Sequence, residues 1–318
     1  MTVALGPMGK GSVSLRLYPH LELEPTAVID ELLAQARLAS DAGFDGLMVS
    51  EHHNGFGGYL PNPIQLAGWL LDATERVWVA PCPLLLPLRP AALVAEEIAW
   101  LAARFPGRVG VGLAAGSLEA DFTVMGTTKA DLTRRFAEAM STVSAMLLGR
   151  EPGTLSGDAA IRRCATDPVP VVSAAMSPAA CRRAADCGVG LLFDSLTTIA
   201  RCHALTEVYR AANGPGPVVL IRRVAPGGGS AERQERQLQL YRSYGATTAI
   251  EHWGDDEVAS GDAATMAAVL AEQARSVGAD CLNLRIHAPG MSPAEARAQI
   301  AALADVRAAL AARHQPSS

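Results

Sequence analysis

Short apolar runs alternate with longer segments rich in Ala and Leu along most of the chain. The short runs contain mainly Val, Leu and Ile, which is typical of strands buried on both faces of a parallel sheet. They predict strands at residues 12–18, 46–50, 77–85, 108–113, 169–173, 189–193, 218–224 and 279–286. The longer segments carry apolar residues at helical spacing. They predict helices at residues 26–42, 63–73, 90–104, 131–148, 178–187, 199–212 and 293–313.

The order of these elements predicts the fold class. Strands that alternate with helices form a parallel sheet, and eight such strands close into a barrel. An open, doubly wound sheet is the alternative, but it usually carries a glycine-rich fingerprint after the first strand. Residues 18–20 contain no glycine. We therefore predict an α/β fold in which residues 1–318 form one (β/α)8 TIM barrel.

Local signals mark several helix ends. Thr26 and Asp131 are expected to cap the helices that follow them. Gly43 is expected to take the left-handed conformation that ends the first helix. Pro90 is expected at the first position of its helix, where a missing backbone N–H is tolerated.

Two stretches interrupt the alternation and predict insertions, at residues 149–168 and 227–262. The first contains Gly, Pro and Ser, which favour loops. The second begins with a run of glycines that would suit a hinge. Within it we predict a helix at residues 232–242 and an acidic loop at residues 251–262.

Composition and charge exclude several classes of partner. Of the 318 residues, 49% are hydrophobic and 19% are charged, as in ordinary globular proteins. The net charge of −5 and the lack of a basic stretch argue against nucleic acid. No apolar stretch is long enough to span a bilayer, and residues 1–14 lack the apolar run of a signal peptide. We predict a cytoplasmic protein with a small-molecule substrate and no membrane partner.

The six cysteines form no CxxC pair and no tight cluster. Scattered cysteines of this kind are typical of reduced, buried thiols in a cytosolic protein. Zinc sites instead place cysteine and histidine ligands at short, regular spacings. We therefore predict no metal site.

The densest cluster of chemically active side chains follows the second predicted strand. Glu51, His52 and His53 are adjacent there, at the end of a barrel strand where function gathers. A histidine in this place can act as a general base or a hydrogen-bond donor near neutral pH. Glu51 could orient it or stabilise its charge. A solvated loop is the alternative, and a metal site would need a third ligand.

This block also carries a resemblance to a known family. Residues 42–53, AGFDGLMVSEHH, resemble the signature of luciferase-like flavin monooxygenases, in which a GFD turn leads into a strand ending in EHH. Further blocks follow in the family's order: LPLRP at residues 86–90, GRV at 107–109, DFTVMG at 121–126 and NLRIHAPG at 283–290. The chain is thus similar to this family over nearly its whole length.

The resemblance implies a flavin-dependent oxidoreductase. Members bind reduced FMN that a separate flavin reductase supplies, and use O2 to oxygenate a small organic substrate. The first histidine of the EHH block is their acid/base, which implies that role for His52, with His53 and Glu51 in support. Members also pair their barrels, which implies a homodimer through the helices at residues 63–73 and 90–104.

The end of the fifth predicted strand is a candidate phosphate site. Ser177 followed by Pro178 is a good helix start, and helix N-termini bind anions. Ser173 at the preceding strand end can add a hydroxyl. The resemblance also implies that the flavin phosphate lies here. An ordinary helix cap without a ligand is the alternative.

One departure from the family's pattern lies at the end of the fourth predicted strand, at Ala114 and Ala115. Alignment on the DFTVMG block places Ala115 where luciferase carries a phosphate-binding arginine. Such a charge-assisted contact contributes about 1.5–3 kcal/mol. Arg222 or Arg223 could replace it, the deazaflavin F420 could be the cofactor, or the barrel could have lost flavin binding. Against F420, its users often end strand two in Asp-His.

Four further residues are candidates at the barrel mouth. The resemblance implies a cis Cys82–Pro83 bond under the flavin, with Cys82 facing the flavin or acting as a buried apolar residue. Arg285 and His287 share one strand face and could clamp an acidic substrate, bind a flavin edge or form structural ion pairs. Trp253 lies in residues 227–262, which the resemblance makes a mobile lid.

The sequence therefore leaves three candidate functions. The leading interpretation is an FMN-dependent monooxygenase. An F420-dependent oxidoreductase on the same barrel would transfer hydride without O2. A non-catalytic luciferase-like subunit is favoured by Ala115 and opposed by the intact residues 51–53. The substrate depends on loop conformations that the sequence does not predict.

Overall fold

The computed structural model describes residues 5–228, 231–244, 251, 253–254 and 258–314. Strands and helices alternate through this part of the chain. The strands are β1 (Ser12–Arg16), β2 (Gly46–Val49), β3 (Trp78–Pro81), β4 (Leu84–Leu85), β5 (Val111–Ala114), β6 (Val171–Ala174), β7 (Gly190–Phe193), β8 (Val218–Pro226), β9 (Val258–Gly261) and β10 (Cys281–Arg285). The α-helices are α1 (Pro25–Asp41), α2 (Pro63–Asp72), α3 (Ala91–Arg104), α4 (Glu119–Val124), α5 (Leu132–Leu147), α6 (Ala159–Arg163), α7 (Pro178–Asp186), α8 (Ile199–Ala211), α9 (Ala231–Tyr244), α10 (Ala263–Val277) and α11 (Pro293–His314).

The strands form one parallel sheet that closes on itself. Their order is β3-β2-β1-β10-β8-β7-β6-β5-β4, with β9 added beside β8. Val79 of β3 pairs in parallel with Val109, just before β5. The amide of Val79 donates to the Arg108 carbonyl at 2.9 Å, and the Gly110 amide donates to the Val79 carbonyl at 3.2 Å. The predicted (β/α)8 barrel is confirmed, with β3 and β4 sharing one strand position.

Side chains of each strand alternate between the helices and the barrel interior. In β1, Val13 and Leu15 belong to the large core between strands and helices. Ser14 points the other way, and its Oγ lies 3.7 Å from the Sγ of Cys281, which belongs to the smaller core inside the barrel. Because Arg16 shares the side of Ser14, its guanidinium rises towards the barrel mouth.

The predicted strand at residues 77–85 is divided in two. Cys82–Pro83 is a cis peptide bond, as predicted. Proline has no N–H to donate to a neighbouring strand, so the ladder is interrupted there. β3 pairs with β2, whereas Leu84 and Leu85 of β4 pair with β5.

Some of the predictions for helix ends are confirmed and others are wrong. Gly43 has φ +82°, as expected of a glycine that ends a helix. The Thr26 cap is wrong, since α1 already begins at Pro25. Pro90 lies one position before α3, not within its first turn. Asp131 precedes α5 as predicted, but its own φ of 53° is left-handed and its side chain makes no cap hydrogen bond.

The two insertions contain more regular structure than their loop composition predicts. Residues 149–168 include α6, which Asp158 caps. The predicted acidic loop is wrong where β9 extends the sheet beside β8. The helix α10, which connects β9 to β10, was not predicted. Residues 229–230, 245–250, 252 and 255–257, and with them part of the predicted hinge, lie outside the described residues.

Candidate active site at the mouth of the barrel

A cavity of about 740 Å³, open to solvent, lies at the carboxyl-terminal ends of the strands. This is the end of a (β/α)8 barrel where enzymes place their chemistry, and the volume suits a small organic ligand. Both polar and apolar side chains line the cavity. The polar ones are Arg16, Tyr18, Ser50, Glu51, His52, Tyr59, Asp194, Ser195 and Arg285, and the apolar ones are Pro83, Leu85, Ala174, Met176, Leu192 and Ile221.

His52 forms a hydrogen-bonded pair with Asp121. The Nδ1 atom of His52 lies 2.8 Å from the Oδ2 atom of Asp121 in α4. The other carboxylate oxygen, Oδ1, accepts the backbone N–H of His53 at 2.9 Å. A carboxylate at Nδ1 fixes the imidazole tautomer, so the Nε2 atom of His52 is left to accept a proton.

Asp121 is suited to act as the anionic member of this pair. Its side chain is 2% exposed. Burial by itself would raise the pKa of Asp121, but the hydrogen bonds from His52 and from the His53 amide outweigh it and lower the pKa. The carboxylate is therefore ionised at neutral pH and can stabilise a positive charge on His52.

Two aromatic rings pack against the His52 imidazole. Its ring centroid lies 4.7 Å from that of Phe56 and 4.5 Å from that of Tyr59, which meets it edge to face. Tyr59 in turn lies 5.5 Å from Tyr18 at the end of β1. Together with Asp121, these contacts restrict the imidazole to one orientation beside the cavity.

Glu51 and His53 belong to a second network. Glu51 Oε1 lies 3.1 Å from His53 Nε2 and accepts a hydrogen bond from Arg89 at 2.6 Å. Glu51 Oε2 accepts the Leu85 amide at 2.7 Å. Both oxygens of this buried carboxylate are thus occupied, and the network ties the end of β2 to β4. Its geometry positions His52 and leaves Glu51 no free oxygen for a proton transfer.

The side chain of Cys82 does not line the cavity. It is buried in the barrel interior, where a Cβ atom placed on Gly112 would lie 2.2 Å from its Sγ atom. Burial raises the pKa of the Cys82 thiol to about 11, so the thiol is protonated and unreactive at neutral pH. Pro83 lines the cavity in its place.

The phosphate candidates lie beside the cavity, not on its wall. Ser173 is buried, and its neighbour Ala174 reaches the cavity. Ser177 caps α7 as predicted, with its Oγ accepting the Ala180 amide at 3.2 Å. Since Met176 lines the cavity, the N-terminus of α7 adjoins it.

Neither Arg222 nor Arg223 takes the place of the missing arginine at the end of β5. Ala114 and Ala115 are partly buried, and neither lines the cavity. Arg222 donates to the Thr197 carbonyl at 3.1 Å, on the helix side of β8. Arg223 lines a separate, smaller cavity. The structure therefore brings neither arginine to the α7 side of the barrel mouth.

Arg285 and His287 meet at the opposite side of the mouth. Arg285 lines the cavity, and its Cζ atom lies 4.8 Å from the ring of Tyr18. His287 stacks on the same tyrosine, with centroids 4.5 Å apart. Trp253 forms an antiparallel bridge with Thr197 and packs against a small apolar cluster, so it lies outside the cavity wall.

Arg16 is a cavity residue that the sequence reasoning missed. It donates to Asn283 Oδ1 at 2.9 Å, to the Cys82 carbonyl at 2.7 Å and to Ser50 Oγ. The signal was a charged residue at an inward position of an otherwise apolar strand. Such a residue lies at the strand end that carries the chemistry.

No three His, Cys, Asp or Glu side chains among the described residues are grouped as metal ligands. None of the helices in this part of the chain has the length and apolar character needed to cross a membrane.

The fold and the site define a (β/α)8-barrel enzyme with a histidine–aspartate pair at the barrel mouth. A family profile described as luciferase-like monooxygenase matches residues 12–309. The chain therefore belongs to the luciferase-like monooxygenase family.

Curated relatives have two kinds of named activity. An F420-dependent glucose-6-phosphate dehydrogenase from Beutenbergia cavernae is 33% identical over 177 residues, covering 52% of each chain. The alkanal monooxygenase alpha chain of Photorhabdus laumondii is 31% identical over 113 residues, which are 36% of this chain and 32% of that one. The chain thus matches about half of the first relative's length and about a third of the second's.

Solved structures share the fold over almost the whole chain. The monooxygenase RslO1 from Streptomyces bottropensis has a TM-score of 0.77 at 18% identity, covering 92% of this chain and 98% of that one. The oxygenating constituent of 3,6-diketocamphane monooxygenase from Pseudomonas putida, solved with FMN, has a TM-score of 0.76 at 17% identity, covering 96% and 100%.

Proposed function

We propose that this protein is a monooxygenase that uses reduced FMN and O2 to oxygenate a small organic substrate. The hydrogen-bonded pair of His52 and Asp121 carries the proposal, because it places an oriented imidazole on the wall of an open cavity. The named monooxygenases among the relatives and the FMN in the Pseudomonas putida structure support it.

The residues at the cavity fit a flavin. Pro83, Leu85 and Ala174 give an apolar surface for a flat ring system. The N-terminus of α7 adjoins the cavity and offers backbone N–H groups and a favourable dipole to a phosphate. Ala115 contributes no charge, so we expect the phosphate to depend on α7 and Ser177 and the flavin to exchange readily.

The chain's own residues would then manage protons and water. A bound reduced flavin supplies the electrons that activate O2. His52 takes up or releases a proton at Nε2, and Asp121 stabilises the charged imidazole through Nδ1. Phe56 and Tyr59 cover the imidazole and keep bulk water from it.

F420 is the second candidate cofactor. It is supported by the Beutenbergia cavernae relative and by Ala115, since a cofactor with a different tail has no need of the arginine that luciferase uses. With F420 the protein would transfer hydride and would not consume O2. The same His52–Asp121 pair would then serve the substrate's proton.

An anaerobic titration with reduced FMN and with reduced F420 tests the choice. We expect tighter binding of reduced FMN, and about a tenfold or greater gain in Ala115→Arg from the added charge-assisted contact. Ser141→Arg, on the exposed face of α5, adds the same charge elsewhere and should not change the affinity. Tighter binding of F420 by the wild type would replace the proposal with the second candidate, and no binding of either would overturn both.

We also propose the partners and the setting of this enzyme. A separate reductase would supply an exchangeable flavin. A homodimer would cover the exposed apolar side chains of α2 and α3, where Trp69, Leu93 and Trp100 are 41%, 45% and 55% exposed. The six free thiols fit a reducing, cytoplasmic environment. Sedimentation at several concentrations, with Trp100→Glu as the variant, tests the dimer.

A further inference from the structure

Arg285 occupies an unusual position at the barrel mouth. It ends β10, is 7% exposed, and lines both the active-site cavity and two smaller cavities beside it. Its guanidinium lies between the rings of Tyr18 and Tyr241, with the Cζ atom 4.8 Å from each ring centroid. Ring contacts of this kind attract a cation and hold the guanidinium plane in place, but they accept few of its hydrogen bonds.

The hydrogen-bonding capacity of Arg285 is nearly unused by the protein. A guanidinium has five N–H donors. Within the part of the chain that the structure describes, its hydrogen bonding amounts to one long contact, from Nη1 to Ser195 Oγ at 3.4 Å. Its Nε atom is buried without an acceptor there. Arg16, the other arginine on this wall, instead donates to Asn283, Ser50 and the Cys82 carbonyl.

Arg285 also has no carboxylate partner among the described residues. Asp194 lines the same cavity, but its Oδ1 accepts the amides of Leu196 and Thr197 at 2.8 and 2.7 Å and forms no ion pair with Arg285. A buried cation without a counter-ion is costly to a fold. A ligand that brings the missing negative charge into the cavity would offset this cost.

We infer that Arg285 binds a carboxylate of the organic substrate, with the Ser195 hydroxyl as a second donor. The fork of two parallel N–H groups matches the two oxygens of a carboxylate. Leu192 and Ile221 line the same cavity and would contact the apolar body of the substrate. The oxidation of this substrate rests on the proposed function, whereas the binding of its carboxylate does not.

A matched pair of ligands tests the inference on the flavin-free protein. Calorimetric titrations would compare 2-naphthoate with 2-naphthamide, which has the same shape and no charge. We expect the wild type to bind the naphthoate roughly tenfold to a hundredfold more tightly. Arg285→Gln should abolish this preference, and Arg285→Lys should keep only part of it, because an ammonium group lacks the fork. Arg134→Gln, which removes an exposed charge from α5, should leave it unchanged.

If the wild type binds the two ligands with equal affinity, this result alone overturns the inference, whatever the variants show. A preference that survives in a folded Arg285→Gln protein, as judged by its melting temperature, would also overturn it. Titration with reduced FMN separates the two proposals. Preference for naphthoate without FMN binding would overturn the flavin proposal alone, and FMN binding without that preference would overturn the role of Arg285 alone.

Discussion

The Nδ1 atom of His52 lies 2.8 Å from Asp121 Oδ2, although the two residues are 69 positions apart in the chain. The short helix α4 makes this contact possible, because it follows β5 and turns Asp121 back over the end of β2. Since Asp121 also accepts the His53 amide, it holds the backbone as well as the imidazole of this block.

We expect Asp121→Asn to lower the rate of substrate oxidation by about 10²-fold or more, because general acid–base catalysis contributes about 10²- to 10⁴-fold. The neutral amide cannot stabilise a charged His52 or enforce its tautomer. The measurement is kcat with saturating reduced flavin, alongside the flavin affinity, which should change little. Glu119→Gln, an exposed substitution in the same helix, is the control. A kcat within twofold of the wild type in Asp121→Asn would remove the pair from the mechanism.

Ser177→Asp should weaken the binding of reduced FMN while α7 stays capped. Aspartate is as good a helix cap as serine, so little stability should be lost. Its negative charge would repel a phosphate at the same N-terminus. Thr198→Asp, at the equivalent cap of α8, provides the matched control and should leave the affinity unchanged. If both variants bind FMN as the wild type does, the phosphate lies elsewhere.

Glu51→Gln should lower the free energy of unfolding by about 2–4 kcal/mol, because removal of one member of a buried ion pair leaves the other uncompensated. The partner left behind is Arg89, which is 14% exposed and therefore partly hydrated. Urea unfolding at neutral pH measures the loss. Glu138→Gln breaks an exposed pair with Arg134 and should cost under about 1 kcal/mol. Equal losses in the two variants would contradict a structural role for Glu51.

His287 should make the protein less stable in mild acid. Burial, with smaller contributions from Arg285 and His20, lowers the pKa of His287 to about 3. The unfolded chain therefore takes up this proton near pH 6.5, well before the folded protein does. Stability falls as the pH drops below that point, by about 2 kcal/mol between pH 7 and pH 5.

His287→Phe keeps a ring against Tyr18 but cannot take up a proton, so its unfolding free energy should decline less over this range. Urea unfolding at pH 7, 6 and 5 gives the comparison. His203→Phe, an exposed position on α8, serves as the control. Parallel pH profiles for the wild type and His287→Phe would refute the neutral state of the partly buried His287.

The barrel could be predicted from the sequence because each strand is a short apolar run and each helix keeps its own period. The strand at residues 77–85 was divided by Pro83, whose missing N–H acts on a ladder that a one-dimensional pattern does not show. β9 was not predicted because it lies beside the outer end of β8, so its pattern is not that of a strand buried on both faces.

Some features of the candidate site could likewise be predicted from the sequence, and others could not. His52 and Arg285 could be placed at the barrel mouth because each ends a strand. The contact between His52 and Asp121 could not, because it depends on how α4 turns after β5. The sequence left Cys82 either facing the flavin or acting as a buried apolar residue, and the second alternative holds, because its side chain follows the inward face of the barrel and packs on Gly112.

The pairing of β1 with β10 has a consequence for biosynthesis. Arg16 on the first strand donates to Asn283 on the last, 267 positions later. While a ribosome is still making the chain, the first strand has one neighbour in place, and Arg16 lacks one of its acceptors. Closure must wait until residues 281–285 have emerged, and contacts so distant in sequence form slowly. The nascent chain therefore exposes an open edge beside β1 until β10 has been made, and it acquires a complete binding cavity only after that.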